Sequence, residues 1–424
     1  MIDIEKLLKA NSAVSDYRIA TKATKSYEMF FVHKKLETVR ATDTVNTDVR
    51  VYVKHDGKIG DSAFSLYESM SEDEAAAKVA AAAKRALLVF NEPYELPEGG
   101  KETFERASSL TACTLPEMAA KVADAVFAAD CYAGGSINAT EIFLYQDTIS
   151  VKNSRGVDKT EVKYHAMIEA IPTWNEGEES VELYENHRFN EFDAAAITAE
   201  IDKKMREVRD RQAAVKPATP MNCRVVLNAR EIYSLLGRMA MVLNYSAVYS
   251  HSNLFKVGDD VQKGRSGDAL TLTVTGAVKG SVDSAAFDED GVALTEKVLI
   301  EDGVVKGYFG SNRFAQYLGE TPTGDMRCFK VAPGTLTKEA LEAEPYLECV
   351  SMSGLQVDLF SDYVGGEIRL AYLFDGEKTV PVTGISMSAK LSEVLAGMQL
   401  STETTVSGSY EGPDKLLMPN VAVL

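Results

Sequence analysis

Histidine and cysteine are the residue types that supply most zinc sites and many nucleophiles. The chain of 424 residues has five of each. No two of them stand at the spacing of a helical zinc motif or of a C-x-x-C pair. The residues are His33, His55, His165, His187 and His251, and Cys113, Cys131, Cys223, Cys328 and Cys349. We therefore expect no local metal site and reduced cysteines.

Nucleophile motifs are also missing from the sequence. It contains neither the G-x-S-x-G elbow of serine hydrolases nor the G-x-x-x-x-G-K-[ST] phosphate loop. A hydrolase that pairs a cysteine with His251 or Glu231 would have to assemble from distant segments. The spacing of the residues gives that hypothesis no support.

Two loops carry weaker chemical signals. Residues 287–291 read Phe-Asp-Glu-Asp-Gly, but the further oxygen ligands of a calcium loop are out of register, so we expect a β-turn. Residues 321–325 read Thr-Pro-Thr-Gly-Asp. The glycine there would let backbone N–H groups approach an anion or a substrate carboxylate.

The elements that must position these residues differ between the two halves. The first half predicts a helix at 2–9, strands across 17–66, a capped helix from Ser71 to Phe90, and a helix at 115–131. Strands at 142–151, 162–174 and 180–189 follow, with turns at 153–156 and 175–179, and then a charged helix at 193–212. The second half is richer in strands, including a hairpin that turns at Asp302-Gly303.

These patterns predict an α+β protein of two domains. Residues 215–220 contain two prolines, which block helix continuation and favour an extended linker, so we place the boundary near residue 218. An N-terminal α/β domain with a mixed sheet and helices would span 1–217, and a mostly β domain would span 218–424.

The composition excludes several classes of protein. With 45 basic and 63 acidic residues, the formal net charge is -18, which disfavours binding to nucleic acid or anionic lipid. No window approaches the roughly 18 apolar residues of a membrane span, and no signal peptide is recognisable. We expect a cytoplasmic protein that contacts neither nucleic acid nor membrane.

The order of motifs in the second half resembles one known family. A strand at 224–227 leads into a helix at 232–236, followed by 287–291, the hairpin 298–308 and the loop 321–324. The segments 371–373 and 381–384 and a strand that contains Pro419 complete the series. This succession closely resembles the TldD/PmbA family of peptide-maturation proteases, also called modulators of DNA gyrase. The resemblance spans nearly all of residues 222–424, and residues 48–60 and 153–156 also fit the family pattern.

The resemblance implies where a zinc site would stand. Members of the TldD branch carry His-Glu-x-x-x-His on the helix after the first strand, and a later cysteine. When the helix is aligned on residues 235–236, the histidines fall on Gly237 and Val242, the glutamate on Arg238, and the cysteine near Ser407. Glycine and valine have no ligand atoms, and a guanidinium cannot serve as a general base. The resemblance thus implies the zinc-free PmbA branch, also called TldE, with no cofactor in this chain.

The same resemblance implies the function and the partner. We expect a subunit without catalysis of its own that dimerises with a TldD-like zinc metalloprotease and binds or admits unfolded peptide, held in extended form against strand edges. The zinc would lie in the partner subunit. The alternative is a stand-alone homodimeric peptide-binding or scaffold protein without proteolysis.

Four residues are candidates for substrate binding. Arg238 is either a salt-bridged surface residue or a substrate anchor. Thr323 and Gly324, together with Arg327, are expected to form a wall of the substrate cleft, because of their place in the family pattern and their turn chemistry.

Overall fold

The computed structural model of the protein describes residues 2–176 and 179–424. The predicted turn at 175–179 includes residues 177 and 178, which lie outside the described residues. Within the described ranges, three β-sheets and the helices around them account for the architecture.

The first sheet is built from long strands of the first half. Its order is β3-β2-β1-β5-β6-β4, with β7 and β8 also paired to β6. Neighbours are antiparallel except β4 and β6, which are parallel, so the sheet is mixed as predicted. The strands are β1 (Asp16–Val32), β2 (Lys35–His55), β3 (Lys58–Leu66), β4 (Lys101–Glu105), β5 (Gly135–Asn153), β6 (Asp158–Trp174), β7 (Val181–Glu182) and β8 (Glu185–Phe189).

Helices cover one face of this sheet. Ser71 and Glu74 form the predicted capping box at the start of the second helix. That helix ends at Ala86 rather than at Phe90, and the Leu88 and Phe90 side chains beyond it are largely exposed. The helices are α1 (Ile4–Ala10), α2 (Glu72–Ala86), α3 (Leu115–Ala128) and α4 (Ala194–Ala213), with a short 3-10 helix at Ser109–Ala112.

The second half begins with a strand and a helix and is otherwise rich in short strands. The strands are β9 (Met221–Asn228), β10 (Leu272–Thr275), β11 (Lys297–Glu301), β12 (Val304–Val305), β13 (Cys328–Val331), β14 (Tyr346–Met352), β15 (Gln356–Asp358), β16 (Tyr363–Phe374), β17 (Thr379–Val382), β18 (Ile385–Lys390), β19 (Gln399–Leu400), β20 (Thr404–Ser407), β21 (Tyr410–Pro413) and β22 (Lys415–Val423). The helices are α5 (Ala229–Met241), α6 (Tyr245–Tyr249), α7 (Asn312–Leu318), α8 (Lys338–Leu341) and α9 (Leu391–Gly397).

These strands form two further sheets. The second sheet has the order β12-β11-β10-β13-β21-β20, so β12 and β20 are its outer strands. In the third sheet, β14, β9, β22, β18 and β16 pair in succession, and β16 also pairs with β14. These pairings close into a ring. The hairpin between β11 and β12 turns at Asp302 and Gly303, both with positive φ, as predicted.

The α5 helix lies between the second and third sheets. It contacts β9, β15 and β22 of the third sheet and β20 and β21 of the second. Ile232, Leu235, Leu236 and Met239 form its apolar stripe, and each is fully buried in a core shared by both sheets. The position of α5 is therefore set from both sides.

The two halves of the chain are in direct contact. Phe287 packs in one cluster with Val151 and Val157 of the first half. Arg18 of β1 donates to the Asp290 carboxylate at 2.5 Å, and both side chains are mostly buried. The turn at 287–291 thus connects the second half to the first sheet.

The predicted α+β fold class, with a mostly β second half, is confirmed. The boundary near residue 218 stays a prediction. It falls between the end of α4 and the start of β9.

No helix among the described residues is both long enough and apolar enough to cross a membrane.

Replacing Leu235 by alanine is expected to destabilise the protein by about 2–5 kcal/mol, because the lost side chain leaves a cavity between two sheets. Urea denaturation measures the change. Ser234→Ala on the same helix is the control and should change stability by less than about 0.5 kcal/mol. Equal effects of the two substitutions would contradict the packing described for α5.

Candidate functional site

The α5 helix presents a narrow surface to solvent beside the second sheet. Tyr233, Arg238 and Met241 lie on its exposed side, opposite the buried stripe. Glu231 in the first turn has the charge that the helix dipole favours there. Burial nonetheless raises the pKa of Glu231, because a charged carboxylate is poorly solvated inside the protein. The helix ends at Met241, with Val242 as its C-cap residue.

An aromatic stack fills the corner between α5, β13 and β21. The Tyr233 ring lies parallel to the Phe329 ring, with centroids 4.8 Å apart and an angle of 5°. Phe329 in turn meets Tyr410 edge-on at 5.9 Å. A Cβ atom at Gly237 would lie only 3.2 Å from the Phe329 ring. Gly237 is therefore in close contact with this stack, and a larger residue there would press against the Phe329 ring.

A polar cluster adjoins the aromatic stack. The Asp283 carboxylate accepts hydrogen bonds from the Ser409 hydroxyl and from the Arg188 guanidinium, the latter at 3.2 Å. Arg188 belongs to β8, so this cluster joins the first sheet to the second half. The Cys328 Sγ and Ser281 Oγ atoms lie 3.7 Å apart in the same region.

The cysteines of this region lack the setting of a nucleophile. Burial raises the pKa of the Cys328 thiol and, still more, that of Cys349. A nucleophilic cysteine needs the opposite shift and a base beside it. The hydrogen bonds of these two thiols go to Ser281 and Met387, not to a histidine.

The four candidate binding residues fall into two groups. Arg238 and Arg327 are both exposed. Burial raises the pKa of the Tyr233 phenol, and Arg327 lies close enough for its charge to act in the opposite direction. Thr323 is buried, and its hydroxyl accepts from the Gly310 N–H at 3.0 Å. Gly324 has φ of 79°, and a Cβ there would collide with Leu294. The geometry thus gives Thr323 and Gly324 internal contacts and leaves the two arginines facing solvent.

The turn at 287–291 is a β-turn, held by one carboxylate. Asp288 accepts from the backbone N–H groups of Asp290 at 2.9 Å, Val292 at 3.0 Å and Asp325 at 3.2 Å. Burial, with a contribution from Asp290, raises the pKa of Asp288 to about 6. Asn244 donates to the Asp325 carboxylate at 3.1 Å. These bonds tie the turn to the loop that precedes Arg327.

Comparison with known proteins assigns this second half to a family. Residues 220–424 match the model of the PmbA/TldA metallopeptidase C-terminal domain. The second half of the chain therefore carries the C-terminal domain of the PmbA/TldD metallopeptidase family. An uncharacterized protein of Methanocaldococcus jannaschii is 26% identical over 285 residues, which cover 63% of this chain and 64% of that protein. The match therefore spans less than two thirds of that relative.

Solved structures share the fold of the whole chain. TldE from Thermococcus kodakarensis superimposes with a TM-score of 0.80 over 99% of this chain and 98% of that one, at 16% identity. A proposed modulator of a DNA gyrase from Thermotoga maritima gives a TM-score of 0.79, with the same coverage and identity. At identities this low, the superpositions show a common fold alone.

The residues at the positions that the resemblance assigns to zinc do not fit that ion. Gly237 and Val242 offer no ligand atom, Arg238 is a cation, and Ser407 stands on β20 beside α5. Among the residues that the structure describes, no group of three or more His, Cys, Asp or Glu side chains is arranged to hold a metal ion.

Sequence reasoning missed most of this corner. Tyr233, Asp283, Ser409 and Arg188 come from four separate segments, and no local spacing connects them. One signal was available, because Tyr233 and Met241 are large side chains on the otherwise polar face of an amphipathic helix.

The raised pKa of Asp288 predicts a pH dependence of stability. In the unfolded chain an aspartate titrates near 3.8, and in the folded protein near 6, so the folded state binds the proton more tightly. The stability contributed by the protonated carboxyl is full below about pH 4 and is lost as the pH rises through about 6. Asp288→Asn should flatten this part of the curve, measured by denaturation from pH 4 to 7.

The pKa itself can be measured by carbon NMR of the labelled carboxyl groups. Asp358 is the internal control, because its pKa is lowered by hydrogen bonds to Ser361 and to the backbone. A titration of Asp288 at or below that of Asp358 would contradict the burial described for this turn.

Proposed function

We propose that this chain is a zinc-free PmbA/TldE-like subunit, which pairs with a TldD-type zinc metallopeptidase and binds or admits unfolded peptide for cleavage. The observation that carries this proposal is the composition of the corner around α5. Where the resemblance assigns the metal ligands and the general base, the side chains are Gly237, Val242, Ser407 and Arg238. The aromatic stack packed against Gly237 occupies the space beside the helix.

A strand edge beside this corner supports the peptide-binding part of the proposal. β20 is an outer strand of the second sheet, and among named strands it pairs only with β21. Its outer edge can accept main-chain hydrogen bonds from an extended chain. Main-chain pairing gives affinity with little dependence on sequence, which suits a subunit that handles unfolded segments.

The likeness to a structure named TldE supports the partner part of the proposal. Because TldE-type chains of the family that this sequence resembles are expected to pair with a TldD-type subunit, we propose such a partner, in which the zinc would lie. We place the protein in the cytoplasm. The second candidate is a homodimeric peptide-binding or scaffold protein without proteolysis, and metal content together with peptidase activity distinguishes the two.

Metal content and peptidase activity test the proposal together. We expect no bound metal and no activity in the isolated chain, and chelator-sensitive cleavage of an unstructured peptide after mixing with a His-Glu-x-x-x-His homologue from the same genome. That homologue alone is the control. A mixture no more active than the homologue, without a complex in size-exclusion chromatography, would favour the scaffold candidate. Stoichiometric zinc in the isolated chain would refute the assignment of ligand positions.

Arg327→Ala is expected to weaken peptide binding by about threefold, because Arg327 is an exposed cation on the Tyr233 side of the corner. Fluorescence anisotropy with a labelled unstructured peptide measures the affinity. Lys330→Ala is the matched control, since Lys330 is already paired with Glu296 at 3.2 Å. A larger loss from the control than from Arg327→Ala would exclude Arg327 from the binding surface.

A further inference from the structure

One lysine of the first sheet stands out by its electrostatic surroundings. Successive side chains of β6 point to opposite faces of the sheet, so Glu161, Lys163 and His165 lie on the same face. The opposite face carries Ala166 and Ile168, which pack in the core with α3 and α4. Lys163 therefore lies on the face that the helices leave uncovered. In the register with β5 it stands opposite Asp147.

The carboxylate nearest in register is already satisfied. Asp147 accepts from the Thr24 hydroxyl at 2.6 Å, from the Lys22 ammonium at 3.0 Å and from the His165 ring at 3.1 Å. These bonds hold the pKa of Asp147 well below its usual range, against the opposing effect of burial. Asp147 thus stays charged with its own set of donors.

The other two carboxylates near Lys163 are also occupied. Glu161 accepts from Arg106 at 2.6 Å and from the backbone N–H of Ala286 at 3.2 Å. Asp283 accepts from Arg188 and Ser409. Among the described residues, no carboxylate oxygen lies within 4.0 Å of the Lys163 ammonium.

The local charges therefore leave one cation without a counter-ion. Lys22, Arg106 and Arg188 match Asp147, Glu161 and Asp283 one to one, and Lys163 is additional. Lys163 is partly buried, and burial lowers the pKa of its ammonium because the charged form loses water. A partly desolvated cation without a partner is unfavourable, and an anionic ligand would relieve the cost.

The surroundings of Lys163 favour a peptide as the source of that anion. Asp283, whose charge influences Lys163, belongs to the polar cluster beside α5 and the β20 edge. Next to Lys163 the Tyr145 and His165 rings stack at 4.7 Å and offer an aromatic surface. Asp283 and Ser409 thus connect the surroundings of Lys163 to the segment that follows β20, the strand with which an extended chain could pair.

We infer that Lys163 binds a carboxylate of the unfolded peptide, which is supplied either by its C-terminus or by an acidic side chain. This inference rests on the proposed function, because it names a contact for the same substrate. A lysine suits this role, since a single ammonium can meet a carboxylate in several orientations. The contact would also help to fix the position of the chain in the cleft.

Peptide binding to the purified protein, alone and in the mixture with its zinc-bearing homologue, tests the inference. One unstructured peptide is prepared with a free C-terminus, as its C-terminal amide, and with internal glutamates changed to glutamine. We expect the loss of the responsible carboxylate to weaken binding by roughly tenfold. Lys163→Met should bind all three peptides equally, and Lys163→Arg should restore the preference.

Lys25→Met is the matched control, because Lys25 is an exposed lysine of the same sheet. It should keep the wild-type preference. Thermal denaturation of each variant verifies that it is folded. If the wild type binds the three peptides equally, the role of Lys163 is refuted while peptide binding stands. If none of the peptides binds in either sample, peptide binding itself is refuted, and the inference with it.

Discussion

The arrangement of the second half depends on one constraint, which is the burial of the apolar stripe of α5 between the second and third sheets. Ile232, Leu235, Leu236 and Met239 are fully buried, in one core that contains residues of both neighbouring sheets. The third sheet closes into a ring on one side of α5, and the second sheet packs on the other. Because the helix cannot rotate without exposing apolar surface, the directions of Tyr233 and Arg238 are also determined.

The same packing decides the character of the corner beside α5. Phe329 lies between Tyr233 and Tyr410, and the missing side chain at Gly237 makes room for it. Aromatic rings in contact exclude water and offer no ligand atoms. The nearby thiol of Cys328 has a raised pKa and stays protonated at neutral pH. The chemistry available there is that of a binding surface, with cations and a strand edge within reach.

Charge is distributed unevenly in this acidic protein. The formal net charge is -18, yet the face of the first sheet opposite the helices carries a nearly balanced set of acids and bases. Buried carboxylates such as Glu161 and Asp147 are tolerated because each accepts several hydrogen bonds. Because the neighbouring carboxylates are already paired, the ammonium of Lys163 is the additional charge among them. The ion pair of Arg18 with Asp290 is a further balanced pair of charges, and it joins the two halves of the chain.

The sequence by itself determined the local elements and the family of the second half. Alternation predicted the long strands, the Ser71–Glu74 capping box predicted the start of α2, and Asp302-Gly303 predicted a hairpin, because these signals act over a few residues. It did not predict the end of α2, where exposed Leu88 and Phe90 lie beyond the helix. Only the tertiary structure brought Tyr233, Asp283, Ser409 and Arg188 together and left Lys163 without a counter-ion. Those relations depend on which strands become neighbours, and strand pairing is decided by the packing of the whole chain rather than by local spacing.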